Sequence, residues 1–239
     1  MAMIVESDSD VMQQTETASL PPLEPGDRLT RVAFERMYAA SPYIKKAELV
    51  EGIVYMPSPT RFDLHAGPHG DLVTWLGVYR AHTTGTTIGD NATVRLDHEN
   101  EVQPDVLLRL DSAVGGRSDI DDDGYIEGSP ELVIEVAASS VSYDMHQKRR
   151  VYARVGVPEY IVFLAHEQHI VWFVLTDGVY VAMTPDDDDG VLRSRIFPGL
   201  WLQPEAFLVG DLAQVLAVLQ KGLASEEHAA FVARLSQSA

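Results

Sequence analysis

An acidic residue stands in the middle of an apolar run at residues 129–140, SPELVIEVAASS. Aliphatic residues flank Glu135 on both sides, and the run predicts a buried strand that carries a carboxylate inside it. An unpaired buried carboxylate costs so much free energy that it is normally protonated, paired with a cation or bound to a metal. Another part of the chain must therefore supply a partner for Glu135.

A second carboxylate occurs thirty residues earlier, in VQPDVLLRL, where Asp105 stands at the entry of another apolar strand. Two neighbouring strands of one sheet can hold both carboxylates a few ångströms apart. Mg²⁺ would relieve the repulsion between them, since this ion binds one or two carboxylates and keeps several waters. The alternative is that Asp105 caps a turn and Glu135 pairs with an arginine such as Arg109. The spacing leaves both open.

Composition narrows the class of protein. The chain has 239 residues, 46% of them hydrophobic and none of them cysteine, which excludes disulfides and thiolate metal sites. The acidic start MAMIVESDSD has no basic region followed by an apolar core, so we expect no signal peptide. No apolar stretch approaches the roughly 18 residues that a membrane span needs. We expect a soluble, cytoplasmic protein that does not interact with membranes.

The formal net charge of −18 argues against sequence-independent binding of nucleic acid over the whole surface. Acidic residues concentrate in residues 1–27, 97–131 and 186–189. Residues 144–155 are mainly basic, since Asp144 is their one acidic residue and four are lysine or arginine: Lys148, Arg149, Arg150 and Arg154. The three arginines are candidates for contacts with nucleic-acid phosphates, although a solvated basic helix face would look the same.

The pattern of the chain predicts one α/β domain of mixed type. We interpret residues 1–28 as a disordered acidic tail, 29–203 as the domain, and 204–239 as a helical extension packed on it. Predicted helices cover 30–40, 65–82, 143–155 and parts of 204–235, and Glu51-Gly52 is the turn of a hairpin. Strands are predicted near 92–96, 102–110, 131–137, 158–164, 169–175, 178–184 and 191–196. An apolar stripe in the extension could mediate homodimerisation: Leu212, Val215, Leu216 and Leu219.

A longer pattern carries a family resemblance. The segments QPDV and ELVIEVAASSVSYDMHQKRRVYARVGVPEYIVF, with AELVEGIVYMPSP upstream, resemble the Uma-type family of putative restriction endonucleases in the PD-(D/E)XK nuclease superfamily. The resemblance covers roughly residues 30–200. It implies a restriction-endonuclease-like fold, in which helices flank a central mixed sheet.

The resemblance also implies a site. Asp105, Glu135 and the carbonyl of Val136 would bind Mg²⁺ or Mn²⁺, which would activate a water and stabilise charge on a scissile phosphate. Glu48, in the upstream hairpin, falls at the family's acidic position and would be a third acid. The alternative is an exposed glutamate at a sheet edge.

One position departs from the superfamily pattern, in which a lysine stands two residues after the glutamate. That position is Ala137 here. Lys148 lies one helix later and shares a helix face with Asp144 and Tyr152, which could support it, so it could project back towards the metal. The alternative is a surface pair between Asp144 and Lys148, worth only about 0.3–0.5 kcal/mol.

Two other groups are weaker candidates. His65 and His69 lie four residues apart near the family's helix-starting histidine, and either a phosphate contact by His69 or plain solvation is favoured over metal binding. The stretch DIDDDG at 119–124 matches the first half of a calcium loop, but Pro130 stands where the bidentate glutamate is required. We interpret it as an acidic solvated loop.

These features favour a Mg²⁺- or Mn²⁺-dependent endonuclease that hydrolyses phosphodiester bonds in DNA, with Asp105, Glu135, Lys148 and Glu48 as catalytic residues. The charge of −18 and Ala137 oppose this interpretation. The alternatives are a non-catalytic binding or assembly module that keeps the nuclease fold, and a phosphoesterase that acts on a small nucleotide.

Overall fold

The computed structural model describes residues 21–57 and 61–238. Six α-helices occur in these ranges: α1 (Arg31–Ala39), α2 (Gly67–Ala81), α3 (Arg149–Val155), α4 (Pro204–Leu208), α5 (Leu212–Leu223) and α6 (Glu226–Ser238). Two π-helical turns, Phe62–Ala66 and Tyr143–Lys148, lead directly into α2 and α3, and a 3₁₀ turn covers Ser112–Val114. No helix among these residues is long and apolar enough to cross a bilayer.

Fourteen strands accompany the helices. They are β1 (Glu48–Val50), β2 (Ile53–Tyr55), β3 (Thr86–Asp90), β4 (Val94–Asp97), β5 (Asn100–Val102), β6 (Val106–Leu110), β7 (Ser118–Ile120), β8 (Ile126–Gly128), β9 (Leu132–Ala137), β10 (Glu159–Leu164), β11 (His169–Thr176), β12 (Val179–Ala182), β13 (Leu192–Arg193) and β14 (Trp201–Leu202).

Most strands belong to two six-stranded mixed sheets. The main sheet has the order β12-β11-β10-β9-β6-β3, and only the pair β9–β10 in it is parallel. The second sheet has the order β2-β1-β5-β4-β8-β7, with β4 and β8 parallel. The predicted mixed α/β class is confirmed, but the single central sheet becomes two sheets, because the β1–β2 hairpin joins β5, β4, β8 and β7 in a sheet of its own.

Local sequence explains where α1 begins, where the β1–β2 hairpin turns and where α3 ends. Thr30 caps α1, since its side chain accepts a hydrogen bond from the Ala33 N–H. Glu51 and Gly52 both have positive φ, 52° and 71°, as a two-residue hairpin turn of type I′ requires. Gly156 ends α3 in the left-handed conformation at φ 84°.

Side chains of β9 alternate between two cores. Leu132, Ile134 and Val136 join the core that contains α2 and the C-terminal helices. Val133 and Ala137 face the opposite side, where α3 and the second sheet cover the main sheet. By the same alternation Glu135 points to the side of α3 and the second sheet.

The C-terminal extension packs on the first of these cores and contains three helices, α4, α5 and α6. The apolar stripe of α5 lies against this core, with Val215 and Leu219 buried and Leu212 and Leu216 partly buried. The stripe is used within the chain, so it does not offer the exposed face that homodimerisation through these residues would need.

The predicted disordered tail, residues 1–28, extends too far along the chain. Its first twenty residues lie outside the described ranges. In the described part, Leu23 is buried, the Gly26 N–H donates to the carbonyl of Val54, and Arg28 forms a bridge with Ile53. The chain is therefore already packed on β2 before residue 29.

Candidate metal and phosphate site

Four buried side chains from different elements meet between the two sheets and α3. Glu48 opens β1, Asp105 immediately precedes β6, Glu135 lies in β9, and Lys148 ends the π-helical turn before α3. Each is at most 5% exposed. The fold thus brings together residues that are up to 100 positions apart in the chain.

Lys148 is at the centre of this cluster. Its Nζ lies 2.9 Å from Oε1 of Glu48 and 2.8 Å from Oε1 of Glu135, and Oδ1 of Asp144 is 3.9 Å away. The predicted projection of Lys148 towards Glu135 therefore occurs. The alternative, a surface pair between Asp144 and Lys148, does not occur, because both side chains are buried. Solvent therefore does not screen this pair as it screens surface pairs.

Tyrosines complete the surroundings of the buried acids. The hydroxyl of Tyr152 donates to Oε1 of Glu135 at 2.9 Å, and that of Tyr160 donates to the carbonyl of Asp144 at 3.1 Å. Burial raises the pKa of Tyr152 well above its usual value, with the nearby Glu135 carboxylate as a further cause. Tyr152 is therefore a hydrogen-bond donor at neutral pH.

Asp105 has a different environment. Its Oδ2 accepts a hydrogen bond from the Val136 N–H at 2.8 Å and lies 3.2 Å from Nε2 of His65, and its Oδ1 lies 3.8 Å from Nζ of Lys46. Burial acts to raise the pKa of Asp105, but His65, Lys46 and the Val136 N–H together lower it to about 2. Asp105 is therefore ionised at neutral pH.

The pKa values of Glu135 and Asp144 shift in the opposite direction, upwards. Burial raises the pKa of Glu135 to about 8, with Lys148 acting against the shift and the carboxylates of Asp144, Asp105 and Glu48 adding to it. Burial likewise raises the pKa of Asp144 to about 6, against the effect of Lys148 and of a hydrogen bond from Ser140. The single ammonium of Lys148 cannot balance the negative charge of all the carboxylates around it. The cluster therefore favours protonation of its acids and the binding of a further cation.

The donor set fits a hard divalent cation. Within residues 21–57 and 61–238, neither Oδ1 of Asp105 nor Oε2 of Glu135 accepts a hydrogen bond. No group of three or more His, Asp or Glu side chains in those ranges is placed to hold a metal ion. The cation would therefore rely on two carboxylates, the Val136 carbonyl and water, which is a ligand set that Mg²⁺ accepts.

Arg109 does not pair with Glu135. Its guanidinium donates to the hydroxyl and carbonyl oxygens of Ser118 and lies 3.5 Å from Asp111. The alternative in which Arg109 pairs with Glu135 is therefore wrong, and Lys148 is the basic partner of Glu135.

The predicted phosphate-binding arginines lie outside the cluster. Arg150 and Arg154 pair with Glu51 at 3.2 and 3.8 Å, and Arg154 also lies 3.5 Å from Asp97. Arg149 lies over the ring of Phe173. Because the acidic hairpin turn partly neutralises Arg150 and Arg154, this helix face is less positive than its sequence indicates.

His69 lies against the backbone of Asp105 and is partly buried. Its Nε2 is 3.0 Å from the carbonyl oxygen of Asp105 and 3.1 Å from Oδ1 of Asp90. His69 thus supports the backbone of Asp105. In this arrangement its Nε2 has no further capacity for the predicted phosphate contact.

The D-x-D-x-D-G stretch pairs with an arginine. Nη1 of Arg95 donates to Asp121 and Asp123, and Arg95 also approaches Glu35 and Glu101 at 3.0 and 3.7 Å. A surface cavity of about 590 Å³ lies beside these residues. The guanidinium takes the place that a cation would need, so the loop is an ion-paired loop and not a calcium site.

Sequence reasoning missed Lys46 and Asn91. Nζ of Lys46 donates to Oδ1 of Asn91 at 3.0 Å, and the Asn91 N–H donates to the Asp105 carbonyl. Lys46 stands two residues before Glu48, the spacing that repeats one face of an extended chain. That spacing could have identified Lys46 as a neighbour of the site.

Comparisons with known proteins agree with this architecture. The family model Uma2, described as a putative restriction endonuclease, matches residues 32–205. A crystal structure of a putative nuclease belonging to DUF820 from Anabaena variabilis is similar, with a TM-score of 0.53 and 13% identity. The match covers 69% of this chain and 90% of that chain, and at this identity it shows the fold alone. No curated protein matches the sequence. Because the family model spans well over half of the chain, the protein belongs to the Uma2 family of putative restriction endonucleases.

Proposed function

We propose that this protein is a divalent-metal-dependent endonuclease that hydrolyses phosphodiester bonds in DNA. The observation that carries the proposal is the convergence of Asp105, Glu135 and Lys148 in one buried cluster with an excess of carboxylates. Membership of the Uma2 family supports the same class of reaction.

Asp105 and Glu135 would hold the cation through the oxygens that accept no hydrogen bond, together with the Val136 carbonyl. When bound, Mg²⁺ or Mn²⁺ would lower the pKa of a water and stabilise the charge that develops on the phosphate. The His65 ring and the Val136 N–H fix the orientation of Asp105 through its other oxygen. Lys148 and Tyr152 do the same for Glu135, so both carboxylates are positioned before the cation arrives.

The superfamily's lysine position is Ala137 here, whose side chain is completely buried and packs in the core beneath α3 and the second sheet. Lys148, at the end of the π-helical turn before α3, supplies the ammonium next to Glu135 instead. Its charge offsets part of the negative charge of the cluster. Glu48 shares Lys148 with Glu135, which makes Glu48 a positioning residue for the lysine in this arrangement.

The first experiment is calorimetric titration of Mn²⁺ and of Mg²⁺ into the wild type and into Glu135→Gln. Glu159→Gln is the matched control, since Glu159 is another buried glutamate of the main sheet but binds Ser194 and backbone N–H groups away from the cluster. We expect one site in the wild type and in Glu159→Gln, and its loss in Glu135→Gln. Equal heats in all three proteins would overturn the metal centre.

Cleavage assays then test the reaction and its substrate. Plasmid DNA, single-stranded RNA and a small phosphodiester are incubated with Mn²⁺ at low salt, which limits the repulsion between a chain of charge −18 and a polyanion. We expect DNA cleavage by the wild type and Glu159→Gln and none by Glu135→Gln. Cleavage of the small diester alone would favour a phosphoesterase, and absence of cleavage despite metal binding would favour a non-catalytic module.

A further inference from the structure

Lys148 has little capacity to meet a substrate. An ammonium has three donors, and Glu48, Glu135 and Asp144 surround this one at 2.9, 2.8 and 3.9 Å. Its side chain is 4% exposed. A phosphate that arrives from solvent would have to displace a buried carboxylate to reach Lys148, so another cation is needed on the open side of the site.

Lys46 occupies that side. Its side chain is 27% exposed, and Nζ lies 3.8 Å from Oδ1 of Asp105, the oxygen that accepts no hydrogen bond among the described residues. A hydrogen bond to Oδ1 of Asn91 holds the ammonium there at 3.0 Å. Asn91 is itself fixed by its N–H bond to the Asp105 carbonyl. Lys46 is thus both anchored beside Asp105 and accessible from solvent.

We propose that Lys46 is the residue that contacts the phosphate of the nucleic acid, and that a divalent cation takes its place at Oδ1 of Asp105. This inference rests on the proposed function and adds a substrate-contacting residue to it. In the metal-free protein Lys46 neutralises Asp105. Once a cation binds Asp105, Lys46 is repelled from it, and its flexible stem brings the ammonium to the phosphate that the same cation binds.

Other basic residues near the site are less suitable. His65 already contacts Oδ2 of Asp105, and His69 contacts Asp90 and a carbonyl oxygen. Arg61 is 69% exposed and donates two side-chain hydrogen bonds to Asp63. Of these side chains, only Lys46 combines partial exposure with proximity to a metal-ligating oxygen that is still available.

The test compares Lys46→Met with Lys45→Met. Lys45 is the adjacent lysine, is exposed, and reaches only the carbonyl of Pro42 at 3.4 Å, so its removal changes the net charge equally without touching the site. Binding of a fluorescent DNA duplex is measured at low salt, in EDTA and with Ca²⁺. With Ca²⁺, which displaces Lys46 from Asp105, we expect Lys46→Met to weaken binding about tenfold or more relative to Lys45→Met. The loss should be smaller in EDTA, where Lys46 stays beside Asp105, and Lys46→Arg should retain most of the affinity.

Metal affinity provides a second measurement that does not depend on DNA. Calorimetry with Mn²⁺ should show several-fold tighter binding for Lys46→Met than for Lys45→Met, because the competing ammonium is gone. Asn91→Ala, which removes the acceptor that holds Lys46, should shift metal affinity in the same direction. Equal DNA and Mn²⁺ affinities for the two lysine variants would overturn the inference.

The outcomes separate this inference from the proposed function. A wild type that binds Mn²⁺ and cleaves DNA while Lys46→Met and Lys45→Met behave alike rejects Lys46 but keeps the nuclease. A wild type that binds no Mn²⁺ and cleaves nothing rejects the nuclease. In that case, loss of duplex affinity in Lys46→Met measured in EDTA would support the phosphate contact and reject the exchange of Lys46 for a cation, and no duplex binding by the wild type in either buffer would reject both.

Discussion

Glu135→Gln is expected to stabilise the protein at alkaline pH while removing its metal site. The substitution keeps the size of the side chain and an oxygen that can accept from Lys148 and Tyr152. It removes one of several carboxylates that burial forces together around a single ammonium. Stability and function should therefore move in opposite directions at this position, as is common at preorganised sites.

The sign of this stability change follows from the pKa of Glu135, which burial raises from 4.5 to about 8. An acid whose pKa is higher in the folded than in the unfolded state contributes stability in full below about pH 4.5. That contribution is lost as the pH rises through about 8. At about 1.4 kcal/mol for each pH unit of difference, the shift corresponds to at most about 5 kcal/mol. Glutamine cannot ionise, so the variant does not lose this stability.

The assay is urea denaturation in EDTA at intervals from pH 5 to pH 9. The free energy of unfolding of Glu135→Gln minus that of the wild type should rise with pH, by up to about 4 kcal/mol between pH 5 and pH 9. Glu227→Gln, an exposed change on α6 with the same loss of charge, should show no such rise. A difference between Glu135→Gln and the wild type that stays constant with pH would refute the reasoning, since it would mean that Lys148 keeps Glu135 ionised throughout.

Three further substitutions test the packing of the site and the fold. Lys148→Met should destabilise the protein by about 3–5 kcal/mol at neutral pH in urea denaturation, because it leaves buried carboxylates unpaired; a loss below 1 kcal/mol would contradict a buried ion pair. Tyr152→Phe removes the donor to Glu135 and should cost about 1–3 kcal/mol, and an unchanged denaturation midpoint would argue against that bond. Gly222→Ala would place a methyl group 2.2 Å from a backbone carbonyl oxygen and should lower the melting temperature, whereas Gly77→Ala in α2 meets nothing within 4 Å and should raise stability by up to about 1 kcal/mol. Equal melting temperatures for the two glycine variants would contradict the close packing of α5.

Short-range patterns were sufficient for much of the fold. The start of α1 after Thr30, the Glu51-Gly52 turn and the end of α3 before Gly156 depend on the conformational preferences of one or two residues, and they agree with the predicted helix ranges and hairpin turn. The apolar run around Glu135 likewise predicted a buried strand. Pairing of distant strands left no comparable local signal, so the second sheet and strands β3, β7 and β8 were not predicted.

The sequence by itself determined which chemical groups are available: two acids in apolar strands, a lysine missing after Glu135, and a replacement lysine one helix later. Only the tertiary structure decided which of those groups contact one another. It placed Lys148 between Glu48 and Glu135, paired the surface arginines of α3 with Glu51 and Asp97, and brought Lys46 to Asp105. The physical reason is that the energy of a charge depends on its burial and on the charges within a few ångströms of it, and both are set by residues that are distant in the chain.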